Sequence, residues 1–226
     1  KSACLSKDET TEIEQISQFC KNINIPFYTI DLKKEYKNTI LSYFSKEYEQ
    51  GRTPNPCVFC NYKMKFQALL DKALAANIKF DYFATGHYAR IEFNKAINRY
   101  QLKCAADANK DQTYFLSFLE QKQLSKIIFP LADLTKEQTR QIAIENKLPA
   151  ANKTESQDFY SGDYTELLEN KKCLKSGNFI NKRGEILGKH KGIGHYTIGQ
   201  RKGLGISADR PLYVISILPE TNEILV

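Results

Sequence analysis

The chain has 226 residues, enough for one large domain or two small ones around a real core. Its hydrophobic content of 42% and charged content of 26% fit a globular protein, and no run approaches the roughly 20 apolar residues of a membrane helix, so no membrane partner is expected. A net charge of +7 suits a polyanionic partner such as nucleic acid, but suits a lysine-rich enzyme equally.

KSACLSKDETTE opens the chain without an apolar h-region, and no signal peptide is read there. The first residue is not Met, so the natural N-terminus is expected upstream. SKDETTEIEQISQFCKNIN reads as a helix capped by Ser6 or Asp8, with Ile13, Ile16, Phe19 and Cys20 on one face. IPFYTIDL (25–32) reads as a short strand. EYKNTILSYFSKEYEQ reads as a helix with Tyr36, Ile40, Tyr43, Phe44 and Tyr48 on one side and Gly51 as its stop. The proline loop GRTPNP leads to a third helix over 61–76, with Met64, Leu69, Leu70 and Ala73 inward. KFDYFATGHY predicts a strand running out into a turn at Gly86 and His87.

ARIEFN and RYQLKCA read as a hairpin. Helical patterns resume at DQTYFLSFLEQ and at TKEQTRQIAIENK, the latter opened by Thr135. Helices alternating with short apolar strands predict an α/β domain with a mainly parallel sheet, whose ligands gather beyond the carboxyl ends of the strands. From about residue 164 the texture turns glycine-rich, in short β-like pieces separated by turns. PLYVISILPETNEILV reads as a hairpin turning at 219–222. The expected division is 1–163 as the α/β domain, 164–209 as a small β-rich central domain, and 210–226 as the start of a third unit.

Six cysteines, at 4, 20, 57, 60, 104 and 173, are too sparse for a disulfide scaffold, which predicts a reducing, cytoplasmic setting. That singles out the close pair Cys57 and Cys60 on the proline loop. Three readings stand: a redox or sulfur-handling pair, half of a zinc or iron–sulfur site, where a cluster would carry the sulfur to be transferred, or two structural thiols. Lys63 and Lys65 follow on the next helix and would favour a thiolate at Cys60. Arg201 and Lys202 lie in GHYTIGQRKGLG, where glycines let backbone approach phosphates while two cations neutralise them, so an RNA-facing loop is expected.

Five separated stretches, GRTPNPCVFCNYKMKF, ATGHYAR, KDQTYFLSFL, ESQDFYSGD and GKHKGIGHYTIGQRKGLGI, together resemble the tRNA-specific 2-thiouridylases of the MnmA type, in the same order and at similar spacing. The resemblance runs over nearly the whole chain. It implies a PP-loop (adenine nucleotide alpha hydrolase-like) α/β domain, a small central tRNA-binding domain and a C-terminal β-barrel, of which 210–226 supplies the first hairpin. It further implies ATP-dependent 2-thiolation of the wobble uridine, with ATP and Mg²⁺ as cofactors and sulfur delivered as a cysteine persulfide by a sulfur-carrier protein or cysteine desulfurase. The family's Ser-Gly-Gly-x-Asp-Ser phosphate loop is not in this sequence, so the chain is expected to be an internal piece of a longer enzyme that does not turn over alone.

Matched position by position, the resemblance makes Cys60 the nucleophile and places Asn55, Pro56 and position 57 against the target base. It makes Gly86 an ATP contact, and His87 with Lys110, Asp111 and Gln112 contacts to tRNA. Two departures stand out. The family commonly has Asp where this chain has Cys57, and a second cysteine in the segment matching SQDFYSGD, where this chain has Tyr160 or its neighbours. Cys57 is therefore expected to take the role of the distant cysteine, cycling through a disulfide with Cys60. The rival readings are a non-catalytic tRNA-binding protein and a thiol–disulfide oxidoreductase.

Overall fold

The computed structural model describes residues 9–152, 160, 162–168 and 171–226. The chain forms two compact units: residues 1–33 with 57–159, and residues 34–56 with 160–226.

In the first unit, α1 (Glu9–Asn22) carries acids in its first turn and a lysine in its last, both favourable to the helix dipole. Its predicted inward face is only partly covered: Phe19 and Cys20 are half-buried, while Ile13 and Ile16 are exposed. Residues 25–32 pair with no other described strand, so the strand predicted there is corrected to an extended connection. A β-rich run becomes a strand only when a neighbour supplies the ladder.

A long helix, α3, occupies 56–75, five residues earlier than predicted. It starts as ordinary α-helix (Pro56–Cys60), widens to π-helical bonding over Asn61–Ala68, and closes as α-helix (Leu69–Ala75). The π bond from Leu69 N–H reaches back five residues to the Met64 carbonyl. Such winding splays carbonyls away from the axis. The Gln123 side-chain amide donates to two of them, at Tyr62 (3.1 Å) and Phe66 (3.0 Å).

Downstream come β1 (Phe83–Ala84), β2 (Arg90–Asn94), β3 (Arg99–Lys103), the short α4 (Gln121–Leu124), β4 (Ile127–Ile128) and α5 (Lys136–Glu145). β1 pairs with β4 in parallel, and β2 with β3 form the expected antiparallel hairpin. DQTYFLSFL makes one 3₁₀ turn (Thr113–Leu116) in place of the predicted helix. The core joins Phe66, Ala89, Leu116, Ile127 and Phe129, so α3, the strand ends and the 3₁₀ turn are pinned around one cluster.

In the second unit, α2 (33–49) contains a π segment at Lys37–Leu41 and buries Ile40, Phe44 and Ser45. It ends in a Schellman motif: Arg52 N–H donates to the Glu47 carbonyl and Gly51 N–H to that of Tyr48. Gly51 has φ +67, and a Cβ there would sit 2.7 Å from Ile217. Four strands form the sheet, in the order β6 (Ile186–His190), β5 (Gly177–Ile180), β8 (Glu223–Leu225), β7 (Ser216–Leu218). β5 runs parallel to β8, so the terminal hairpin and the 177–190 hairpin share one sheet. Phe179 and Ile224 are fully buried in it.

Candidate active site

The thiol pair lies in the first turns of α3, and the loop expected there is corrected. Proline is pre-organised for the first helical position, where its missing N–H is one of the donors a helix leaves unpaired anyway. Pro56 takes that position, so Cys57 falls in the first turn and Cys60 one turn further on. Residues three apart on a helix lie on one face with about 5–6 Å between Cβ atoms, within the separations a disulfide tolerates. Both are half-buried thiols. Backbone N–H groups of a first helical turn attract negative charge, which suits a sulfur anion there.

Among the described residues, no group of three His, Cys, Asp or Glu side chains is placed to hold a metal ion. Zinc needs about four ligands and iron–sulfur clusters are held by several thiolates, whereas one helical turn offers two. The described donors supply no further ligand for a metal centre, so the iron–sulfur and zinc readings of Cys57 and Cys60 gain no support from them.

The approach to the pair belongs to the second unit. Asn55 N–H donates to the Tyr43 hydroxyl (3.3 Å), and the Thr53 hydroxyl donates to that of Thr197 (2.9 Å). Asn55 and Pro56 therefore group with residues 34–56, while Cys57 opens the second segment of the first unit.

β1 ends at Ala84, and the turn after it carries Gly86 and His87. A Cβ on Gly86 would meet only Leu131, at an ordinary 3.7 Å. The fold itself does not demand glycine there. His87 packs against the rings of Phe66 and Phe129, each 5.8 Å away, and its Nδ1 shares a 2.7 Å hydrogen bond with the Thr85 hydroxyl. Burial, with a smaller contribution from the Lys65 charge, pushes its imidazole down to about 4. At neutral pH His87 is an uncharged donor–acceptor.

Gln112 binds this turn to the 110–112 segment. Its N–H donates to the Tyr88 carbonyl and its Oε1 accepts from Tyr88 N–H, both at 2.9 Å. Asp111 is committed to its own loop: it accepts from Thr113 N–H (3.0 Å), the Thr113 hydroxyl and Ala105 N–H (3.4 Å). Burial pushes the Asp111 carboxyl up, but the bonds from Thr113 and Ala105 outweigh it and hold the group below its usual range. Lys110 N–H closes the turn on the Asp107 carbonyl. The structure thus brings together Gly86, His87, Asp111 and Gln112, and gives Asp111 and Gln112 positioning work.

Asn61 and Tyr88 were not singled out from sequence, and Lys65 was singled out only for its effect on Cys60. Lys65 is exposed between the buried Met64 and Phe66, close enough for its charge to reach His87. Asn61, directly after Cys60, donates to the Phe115 carbonyl (3.0 Å) while its Oδ1 is buried with no partner among the described residues. Tyr88 likewise buries an unpartnered hydroxyl. Buried orphans of this kind are rare in folded proteins. The one signal available in sequence was a polar Asn at an inward helical position.

Arg201 and Lys202 lie in the second unit, both exposed on the glycine-rich loop. The Tyr160 hydroxyl donates to Glu166 (3.0 Å) and its ring packs over Gly162, a structural engagement. Most of the SQDFYSGD segment lies outside the described residues.

With this geometry in view, the comparisons place the chain in a class. Residues 1–160 match the family model described as the tRNA methyl transferase HUP domain, and residues 165–226 that of the tRNA methyl transferase PRC-barrel domain. The chain belongs to this tRNA methyl transferase HUP-domain family. It is 48% identical over 226 residues to the "tRNA-specific 2-thiouridylase MnmA" of Endomicrobium trichonymphae, covering 99% of this chain and 62% of that protein. It is 46% identical over 231 residues to "tRNA-specific 2-thiouridylase MnmA 1" of Caldanaerobacter subterraneus, covering 100% and 62%. The "MnmA 2" protein of Thermoanaerobacter sp. strain X514 is 45% identical over 229 residues, covering 99% and 62%. The chain therefore spans about 62% of the length of the curated relatives it matches.

Proposed function

We propose that the full-length protein is an ATP-dependent tRNA-uridine 2-sulfurtransferase acting on the wobble uridine. The family description names methyl transfer and the relatives' names say thiolation. The observation that carries the choice is two thiols one turn apart at the start of α3. Sulfur transfer by way of a persulfide needs one thiol to deliver and one to resolve, and this pair offers both.

The chemistry balances as follows. ATP, with Mg²⁺, adenylates the uridine C2 oxygen and releases pyrophosphate, since hydroxide itself is a poor leaving group. A persulfide on Cys60, loaded by a sulfur-carrier protein or cysteine desulfurase, attacks C2 through its terminal sulfur, and AMP departs with the oxygen. The Cys57 thiolate then attacks Cys60 Sγ. The S–S bond breaks, its electron pair stays on the sulfur now joined to C2, and a Cys57–Cys60 disulfide forms. A cellular thiol reductant restores the pair with two electrons. The resolving step is intramolecular and benefits from high effective concentration.

Gly86 gives the nucleotide close approach. Uncharged His87 offers hydrogen bonds to the RNA, Gln112 and Asp111 hold that turn in place, and Lys110, Asn55 and Pro56 complete the RNA-facing set. Arg201 and Lys202 neutralise backbone phosphates.

The test is nucleoside mass spectrometry of tRNA from cells lacking the gene, complemented with full-length wild type, Cys57→Ser or Cys60→Ser. Wild type is expected to restore 2-thiouridine, and each variant to reduce it at least 100-fold. A gene deletion that leaves 2-thiouridine intact, or alters a methylated nucleoside instead, overturns the assignment.

A further inference from the structure

The glycine-rich stretch of the second unit closes on itself as a loop. At its base, Gly199 N–H donates to the Val214 carbonyl (2.8 Å) and Val214 N–H to that of Gln200 (2.9 Å). Gln200 braces it from within: its Oε1 accepts from Thr197 N–H and its Nε2 donates to the Lys202 carbonyl, both at 3.0 Å. Leu204 and Val214 are the buried anchors. Between them the loop folds around an open cavity of about 400 Å³.

The lining joins two guanidinium groups, Arg201 and Arg210, one carboxylate, Asp209, and apolar surface from Ile206 and Leu212. Among the described residues, neither arginine nor Asp209 forms an ion pair within 4.0 Å. Backbone donors are open as well, because no N–H from 201 to 210 donates to a described protein acceptor. Gly203 and Gly205 hold φ of +79 and +69, and a Cβ at Gly205 would meet nothing within 4 Å. Those glycines turn the backbone and leave the cavity clear.

Charge, donors and apolar wall together specify the ligand. Guanidinium forks match phosphate oxygens, often in pairs, and unpaired N–H groups in a glycine turn form anion-binding concavities. The volume falls within the range of small-ligand sites. An apolar wall suits the face of a base, and a carboxylate accepts from base amino or ribose hydroxyl donors.

We propose that the loop 201–212 is a nucleotide pocket, in which Arg201 and Arg210 hold a phosphate, Ile206 and Leu212 face the base, and Asp209 accepts from its polar edge. The inference rests on the reading of the protein as an RNA-modifying enzyme, and it adds Arg210 and Asp209 to the RNA-facing set. The same chemistry is offered by a nucleotide within the tRNA strand and by free ATP.

The experiment uses full-length protein with Arg210→Ala, Arg210→Lys and Asp209→Asn, measuring tRNA affinity against salt and ATP affinity by calorimetry. For a strand nucleotide, Arg210→Ala weakens tRNA binding about tenfold and lowers the slope of log affinity against log salt by about one, with ATP affinity unchanged. Arg210→Lys recovers the slope but only part of the affinity, because the ammonium keeps the charge and loses the fork. Loss of ATP affinity with tRNA binding intact assigns the pocket to the free nucleotide. Unchanged affinity for both, in a variant whose melting temperature equals wild type, overturns the proposal. Normal 2-thiouridine with no loss of tRNA or ATP binding overturns the pocket and leaves the enzyme reading standing. Absent thiolation by wild type overturns the enzyme reading and leaves the pocket standing if Arg210→Ala still loses tRNA.

Discussion

Lys65 and His87 show how burial, aided by one nearby charge, sets the character of the candidate site. Burial against Phe66 and Phe129 is the larger cause of the low His87 value of about 4, and the Lys65 ammonium adds to it by opposing a second positive charge. Lys65→Ala is therefore expected to raise the imidazole value, while leaving it below the unperturbed 6.5 because burial persists. Titration of the His87 ring signals by NMR reads this directly. A value that stays at about 4, or falls, shows that the charge acting on His87 comes from elsewhere. Cys60 and His87 were singled out from the sequence by their motif positions. The orphaned acceptor of Asn61 was not, because whether a buried polar atom finds a partner depends on the packing of Phe115 across the core.

Helix ends carried the clearest local signals. Four helices stop where a residue adopts positive φ: Asn24, Gly51, Asn77 and Lys147. Asn and Gly are the residues that tolerate that conformation, so three of the four stops could be read directly. Helix starts divide more sharply. Thr135 was visible as a cap, and the structure completes it as a capping box with Gln138. Pro56 misled, because two prolines in three residues read as a break although the second is well placed as a first helical residue. Thr135→Ala should cost about 1 kcal/mol, since the Gln138 N–H loses its side-chain acceptor (3.1 Å) on an exposed helix. Chemical denaturation with matched m-values measures it. No change in midpoint would show that the box adds nothing beyond what water supplies.

At the scale of the whole molecule, the least legible feature was the grouping of residues 34–56 with 160–226, since it depends on contacts far apart in sequence. Gly51 against Ile217 and Thr53 with Thr197 are examples, and no local pattern announces them. Each unit holds one histidine that the fold keeps neutral, and this predicts a shared response to acid. His190 in the second unit is 1% exposed, its Nδ1 accepting from Gly192 N–H (3.0 Å), so its Nε2 carries the hydrogen and donates to the Asn222 carbonyl (3.1 Å). Burial lowers its pKa, outweighing the Asn222 bond, and His195 lowers it further. Protonating Nδ1 would also break the Gly192 bond. For both histidines the unfolded chain takes up a proton near pH 6.5 while the folded chain does not, so stability is full above that pH and falls as the solution becomes more acid. For His87 the loss runs from about 6.5 to about 4 and then levels, on the order of 2 kcal/mol after allowance for its partial exposure. Full-length protein should melt at lower temperature at pH 4.5 than at pH 7.5. His190→Gln should lower the pH 7.5 midpoint but narrow the gap between the two. An equal gap in that variant would mean that the acid response comes from His87 or from carboxylates such as Asp111, whose retained charge is itself lost in acid, and not from His190.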